Sequence, residues 1–191
     1  GNNIKSITGI LNGTTNYMLS KMINEGKDYE EVLKSAQEKG YAERNPEADV
    51  EGHDTCRKLA ILSSLVLGYE VDYRNIFTEG ITKIEPFDVE YAQSMDHAIK
   101  LIGHAKFKDG KVFAQVSPMF VPFSSPLSGV DNVFNAISVV GDFVGETMFY
   151  GKGAGMEPTA SAVVADIIDI AKGISENNRF GWAKGDGNVV I

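Results

Sequence analysis

The chain has 191 residues, 43% of them hydrophobic, which is enough to bury one sizeable core and is typical of a single domain. Its 18 basic and 26 acidic side chains give a formal net charge of −8. Counterion release from a phosphate backbone therefore cannot drive binding over the general surface, and we expect no nucleic-acid partner. No apolar window is long enough to cross a membrane and no secretory signal pattern is present, so we expect a cytoplasmic protein without a membrane partner.

Cysteine and histidine usage argues against a metal site. Cys56 is the only cysteine, which excludes an internal disulfide or a thiolate cluster and fits a reducing compartment. No pair among His53, His97 and His104 has helical ligand spacing with an intervening glutamate. We therefore expect no metal, and Cys56 is interpreted as a small core side chain.

The first half of the chain predicts one strand and then helices. Residues 4–11 are rich in β-branched side chains, as in a short strand, and residues 12–14 supply turn and cap chemistry for a helix that ends at Gly26. A second helix is capped by Asp28 and ends at Gly40, where a left-handed residue is favoured. From residue 50, apolar side chains recur at helical spacing until Gly68, with Asp49 as the predicted cap.

The second half is dominated by predicted strands in antiparallel pairs. A helix over residues 88–98 precedes a hairpin with Asp109 and Gly110 at its turn, a strong two-residue hairpin signal. The order of helices first and paired strands later predicts an α+β fold, with helices on one face of a mixed, mostly antiparallel sheet. The remaining predicted segments are strands over 99–107, 111–121, 135–141 and 146–151, a helix over 158–173, and a glycine-rich tail in which Trp182 could cover a cleft or interface.

Acidic side chains are concentrated just before the third predicted helix. Asp54 and Lys58 are four residues apart, so they share one helix face and form either a solvated pair worth about 0.3–0.5 kcal/mol or a proton-transfer pair. That face continues through Leu62 into the core, which places the lysine near apolar surroundings. Such a lysine beside a carboxylate can exchange a proton with an alcohol or an oxyanion. Glu43 on the preceding loop could face the same cleft and bind an ammonium group.

Three segments resemble the homoserine dehydrogenase family. The segment at residues 40–58, "GYAERNPEADVEGHDTCRK", resembles the family signature, in which an aspartate precedes a lysine by four residues. The segments "GILNGTTNYML" at 9–19 and "GKGAGMEPTASAVVADI" at 151–167 are similar to the family's strand and helix leading into the site and to its glycine loop and closing helix.

The resemblance implies an activity and roles for the charged residues. In this family Lys58 would protonate the carbonyl oxygen of aspartate semialdehyde and act as base in the oxidation of homoserine, and Asp54 would orient the lysine and bind the substrate. Glu43 would bind the substrate amino group, while Asp49 and Tyr41 shape the pocket.

Other positions are implied as substrate or cofactor contacts. Thr14 would be a further substrate contact. Gly40, Gly151, Gly153 and Gly155 would lie close to the nicotinamide end of NAD or NADP, where a side chain would obstruct the cofactor.

The resemblance also implies a nucleotide-binding domain that this sequence does not contain. Too few residues follow the glycine triplet at 151–155 to build a doubly wound nucleotide fold, and a tight packing turn is an equal interpretation of that triplet. We therefore expect residues 1–191 to be the catalytic, substrate-binding and dimerisation domain, inactive without its Rossmann domain and forming a homodimer. The alternative is a non-catalytic amino-acid-binding or dimerisation module, in which Lys58 points into open solvent.

Overall fold

A computed structural model describes residues 1–153 and 155–172 and the backbone of residues 189–190. Trp182 and the predicted helix end at residue 173 lie outside these described residues. The strands are β1 (Ile4–Ile10), β2 (Phe77–Thr78), β3 (His97–Lys108), β4 (Lys111–Pro122), β5 (Phe134–Gly141), β6 (Gly145–Lys152) and β7 (Val189–Val190). The α-helices are α1 (Gly13–Glu25), α2 (Tyr29–Glu38), α3 (Glu47–Val50), α4 (His53–Leu67), α5 (Pro86–Ser94) and α6 (Met156–Ala171), and 3₁₀ turns lie at Tyr73–Asn75 and Pro126–Gly129.

One mixed sheet organises the chain. Its strand order is β2-β4-β3-β1-β5-β6, and β7 pairs with Val112 and Phe113 near the start of β4. The two-residue strands β2 and β7 run parallel to β4, and all the longer neighbours are antiparallel. The first strand of the sequence therefore lies in the middle of the sheet, hydrogen-bonded to β3 on one side and β5 on the other. The predicted α+β class is confirmed.

The main core lies between one face of the sheet and the helices. Helices α1, α4 and α5 pack against β3, and α2 packs on α1. Met18 and Leu59 are fully buried in this layer, where they meet Leu101 of β3 and Val116 of β4. A smaller apolar cluster covers part of the opposite face, built around Ile102 and the 3₁₀ turn after β4. Helix α6 has no buried residue among its described side chains.

Local signals placed the first two helices and the hairpin correctly. The Asn12 side chain caps α1 and Gly26 ends it in the left-handed region, at φ 62°. Asp28 caps α2 by accepting a hydrogen bond from the backbone of Glu31. The β3–β4 turn uses Asp109 and Gly110 at φ 52° and 72°, as a two-residue turn between twisted strands requires.

The predicted cap of the third long helix is wrong. Asp49 lies inside the short helix α3, and α4 begins after Gly52, which adopts φ 80° and makes no side-chain cap. The left-handed glycine breaks what the sequence pattern presented as one helix, because it reverses the chain direction between two helical turns. This break brings Asp49 beside the start of α4 without making it part of that helix.

The predicted helix at 88–98 is shifted. Helix α5 begins at Pro86, because Glu85 and Asp88 form a reciprocal capping box in which Asp88 is the third helical residue rather than the cap. The helix ends at Ser94, since Asp96 adopts φ 58° and the chain enters β3 at His97.

Candidate active site

A cavity of about 480 Å³ opens where the end of β1 meets α1, the loop after α2, and α4. Its wall brings together most of the residues singled out from the sequence, although they are far apart in the chain. Those on the wall are Thr14, Gly40, Tyr41, Asp49, Asp54, Lys58, Gly153 and Gly155. Glu43 and Gly151 are not part of this wall.

Lys58 and Asp54 form the charged pair at the centre of the site. The Lys58 ammonium donates to Asp54 Oδ2 at 2.7 Å and to the Leu11 carbonyl at 3.0 Å. An ammonium carries three N–H donors, so one donor remains beyond these two bonds. The Lys58 side chain is 46% exposed and lies on the cavity wall. The pair is thus anchored to the end of β1 and retains a donor for a ligand.

A buried asparagine links this pair to the second carboxylate of the cavity. Asn12 Nδ2 donates to Asp49 Oδ1 at 2.7 Å and to Asp54 Oδ2 at 2.9 Å. Its Oδ1 accepts from the Thr15 backbone at 2.9 Å, which is the cap of α1. One side chain therefore connects the start of α1, the turn of α3 and the first turn of α4.

A second cation lies at the rim on the side of α2. Lys39 lines the cavity and donates to the Tyr17 hydroxyl at 2.8 Å. Burial is the largest single influence and raises the pKa of Tyr17, but the hydrogen bonds with Lys39 and Ser35 and the charges of Lys39 and Lys21 together outweigh it and hold that pKa below its ordinary value. Tyr41 packs edge-on against Tyr17 at 5.0 Å between ring centroids, and its carbonyl accepts from the Thr14 hydroxyl at 2.7 Å.

The glycines of the site have different structural reasons to be glycine. Gly40 is at φ 73°, and a Cβ there would meet open space. A Cβ on Gly153 would lie 2.0 Å from Asn135 Nδ2, so this residue must be small to accommodate Asn135. Gly155 precedes α6 at φ 125°. A Cβ on Gly151 would meet nothing within 4 Å.

Asn135 is a polar side chain on the cavity wall with an unmet hydrogen-bond requirement. Its Oδ1 is buried and has no hydrogen-bond partner among the described residues. A buried carbonyl oxygen without a donor is costly, so a ligand or water donor at this point is favoured.

The structure does not bring Glu43 to the cavity. Its side chain is exposed, and its backbone carbonyl accepts from Gln37 Nε2 at 3.1 Å. Its role as the ligand of an ammonium group stays a prediction.

Cys56 is buried on α4, and burial raises the pKa of its thiol, which fits a packing role. No cluster of three or more metal-ligating side chains occurs in the part of the chain that the structure describes.

Sequence reasoning missed three polar side chains of this wall: Asn12, which donates hydrogen bonds to two carboxylates, Lys39 and Asn135. Asn12 was recognised only for its turn and cap chemistry. Its link to Asp49 and Asp54 spans 37 and 42 residues, and no local pattern reports contacts at such distances. The position of Lys39 beside the glycine–tyrosine turn was the one available signal for that residue.

Comparison with known proteins identifies the family. The homoserine dehydrogenase family model matches residues 1–168. The homoserine dehydrogenase of Helicobacter pylori is 51% identical over 171 residues, which cover 90% of this chain and 41% of that protein. Among solved structures, a homoserine dehydrogenase from Thiobacillus denitrificans superposes with a TM-score of 0.88 at 38% identity, covering 99% of this chain and 44% of the other.

A hyperthermophilic archaeal homoserine dehydrogenase, solved in complex with NADPH, matches with a TM-score of 0.75 at 29% identity over 91% of this chain and 49% of its own. The fold thus belongs to an oxidoreductase family. The chain is a member of the homoserine dehydrogenase family, and it spans about 40% of the length of the curated relatives it matches. Among the described residues, no helix has the length and apolar character needed to cross a bilayer.

Proposed function

We propose that this chain is the catalytic part of an enzyme that interconverts L-homoserine and L-aspartate 4-semialdehyde by nicotinamide-dependent hydride transfer. The observation that carries the proposal is the Lys58 ammonium, held by Asp54 Oδ2 and the Leu11 carbonyl on the wall of the cavity. Family membership supplies the reaction class.

Lys58 moves the proton. When the semialdehyde is reduced, the donor of Lys58 that neither Asp54 nor Leu11 uses is directed to the carbonyl oxygen and protonates it as the hydride arrives at carbon. In the oxidation of homoserine, neutral Lys58 takes the hydroxyl proton while the hydride leaves. Asp54 holds the ammonium in place through its hydrogen bond at Oδ2.

The remaining charged groups of the cavity match a zwitterionic substrate. Asp49 lies on the wall and, within the described residues, has no cationic side chain within 4.0 Å. Lys39 likewise has no carboxylate at ion-pair distance in the described part of the chain. We assign Lys39 to the substrate carboxylate and Asp49 to its ammonium group, while Glu43, which lies outside the cavity wall, keeps its predicted role as a second ammonium ligand. Tyr41 and Thr14 also line the cavity, joined by the hydrogen bond from the Thr14 hydroxyl to the Tyr41 carbonyl.

The glycine side of the cavity fits the nicotinamide end of a cofactor. The buried Asn135 Oδ1 is an acceptor that the carboxamide N–H of a nicotinamide would satisfy, and Gly153 and Gly155 contribute no side chains of their own to this side of the wall. When bound, NAD or NADP supplies the hydride acceptor or donor. The archaeal relative solved with NADPH supports a nicotinamide cofactor without deciding between the two forms.

The rest of the cofactor would be held by a nucleotide-binding domain. In support, the chain spans about 40% of its relatives, and helix α6 exposes an apolar surface that no described residue covers. The exposed apolar side chains of α6 are Met156, Val163, Val164, Ile167, Ile168 and Ile170.

We further propose a homodimer formed through the sheet, and a cytoplasmic role in threonine and methionine biosynthesis. Residues 1–191 would then provide the substrate-binding and dimerisation surfaces, and would be inactive without the nucleotide domain. Sedimentation of the purified chain tests the dimer directly.

The test joins the chain to a nucleotide-binding domain and measures homoserine-dependent reduction of NAD⁺ and of NADP⁺. Substituting Lys58→Met should lower kcat by about 10²–10⁴-fold, the usual contribution of a positioned acid–base group. Lys83→Met is the matched control, because Lys83 is 84% exposed and pairs only loosely with Glu79 at 3.8 Å.

Full activity of the Lys58→Met variant would refute the role of the lysine. Binding of homoserine without turnover, with either cofactor and an intact nucleotide domain, would favour the amino-acid-binding module instead.

A further inference from the structure

We propose that Asn12 is a positioning residue of the site. By donating a hydrogen bond to the carboxylate of Asp49, which would otherwise compete for the Lys58 ammonium, it directs Lys58 to Asp54. This inference rests on the proposed proton transfer by Lys58. It assigns to the cap of α1 a second role in setting the geometry of the acid–lysine pair.

The orientation of the Asn12 amide follows from its partners. Its Oδ1 accepts from both the backbone N–H and the hydroxyl of Thr15, at 2.9 and 3.0 Å. Its Nδ2 faces two carboxylate oxygens, at 2.7 and 2.9 Å. In the flipped orientation, the amide oxygen would face the two carboxylate oxygens and the amide N–H₂ would face the backbone N–H of Thr15. Only one orientation therefore satisfies all four contacts. The residue is 5% exposed, which leaves little room for water to replace it.

The two carboxylates compete for one nearby ammonium. Asp49 and Asp54 both approach Asn12 Nδ2, so both lie in the same small volume, and Lys58 reaches only Asp54. By donating to Asp49, Asn12 satisfies that carboxylate without supplying a charge. By donating to the same Asp54 Oδ2 that Lys58 uses, it also fixes the direction in which the pair points. The ammonium is thereby kept on one acid.

The backbone at Asn12 contributes to the same geometry. The Leu11 carbonyl, one peptide bond away, is the second acceptor of Lys58. Asn12 has extended backbone angles of φ −132° and ψ 117°, held by the cap to Thr15. Asn12 therefore positions both acceptors of Lys58. Its side-chain amide holds the Asp54 carboxylate, and its backbone fixes the adjacent Leu11 carbonyl.

The test separates the cap from the positioning role. Asn12→Ser and Asn12→Asp keep a side-chain oxygen that can cap α1, but neither offers an N–H₂ group to both carboxylates. In the chain joined to its nucleotide domain, we expect kcat for homoserine oxidation to fall about 10–100-fold in both variants, since misplacement of a reacting group by about 1 Å has effects of this size. KM for the nicotinamide cofactor should change less than threefold, roughly, because the binding surface for the nucleotide is untouched.

Asp28→Ala is the matched control, because Asp28 caps α2 in the same way and lies outside the cavity wall. It should lower the thermal midpoint as much as the Asn12 variants do, or more, and leave kcat unchanged. A double-mutant cycle with Lys58→Met distinguishes a positioning role from a purely structural one. If Asn12 acts through the lysine, Asn12→Ser should no longer lower kcat once Lys58 is replaced.

The outcomes are distinct. Unchanged kcat in Asn12→Ser, or full additivity with Lys58→Met, overturns the positioning role while the proposed function stands. A wild-type protein without any turnover overturns the proposed function, and this inference with it.

Discussion

The two sides of the cavity are built differently. On one side, the acid–lysine pair is carried by β1, α1 and α4, where Asn12 is 5% exposed and Leu59 is fully buried. On the other side, β6 is almost entirely exposed, and α6 has no buried residue among those described. The proposed proton-transfer groups therefore have their positions fixed by this chain itself, whereas we expect the cofactor side to be completed by the nucleotide domain.

The largest expected effect comes from the buried side. Leu59→Ala should lower the free energy of unfolding by about 2–5 kcal/mol, because it leaves a cavity between α4 and the sheet. Ile61→Ala, on the same helix but 50% exposed, should cost far less. Urea unfolding of the two variants measures the contrast, and equal losses would break the comparison.

Gly80→Ala tests how tightly the α3 turn is held. A Cβ at Gly80 would lie 2.0 Å from the Val50 carbonyl and 2.4 Å from Glu51 Cα, so backbone must move. We expect a loss of about 1–3 kcal/mol by overpacking. Gly129→Ala is the control, since a Cβ there meets nothing within 4 Å and its φ is not in the left-handed range. Comparable unfolding curves for the two variants would contradict the prediction.

A smaller, pH-dependent effect is expected from His104 on β3. Burial, aided by Lys106, lowers the pKa of its imidazole, and the Thr8 hydroxyl lies 2.9 Å from its Nδ1. The unfolded chain then binds the proton at a higher pH than the folded chain. Stability should therefore fall as the pH drops below about 6.5, until the folded-state pKa is reached. His104→Gln should make the thermal midpoint less dependent on pH over this range. The same dependence of the midpoint on pH in both proteins would refute the assignment.

The smallest effect on stability is expected at α6. Ile167 is 58% exposed, so Ile167→Lys should change the unfolding free energy of this chain by no more than about 0.5 kcal/mol. In the protein with its nucleotide domain, the same change should raise KM for the nicotinamide cofactor, because it places a charge on the apolar helix surface. A large loss of stability in the isolated chain would show that α6 is already covered and would remove the contrast between the two sides.

Local chemistry made much of the fold predictable. The Asp28 cap, the Gly26 end and the Asp109–Gly110 turn each depend on a few adjacent residues, and all three are where the sequence indicated. Gly52 misled the prediction because a glycine inside an apolar pattern gives no sign of the φ it adopts.

The rest of the arrangement depends on contacts distant in sequence. The strand order, which places β1 inside the sheet, follows from pairings between segments about 100 residues apart for β3 and about 130 residues apart for β5. The proximity of Asp54 and Lys58 was predicted from helical spacing, but their tie to Leu11 was not. The exclusion of Glu43 from the cavity wall results from the path of an exposed loop that no periodicity describes.

The attachment of Lys58 to the Leu11 carbonyl has a mechanical consequence. Leu11 directly follows a strand that is hydrogen-bonded to a neighbour on each edge, so the lysine is tied to the interior of the sheet. The opposite rim is the loop from Gly40 to Pro46, which lies between two helices and is largely exposed. The proposed proton donor is therefore held by the sheet, and its position does not depend on that loop.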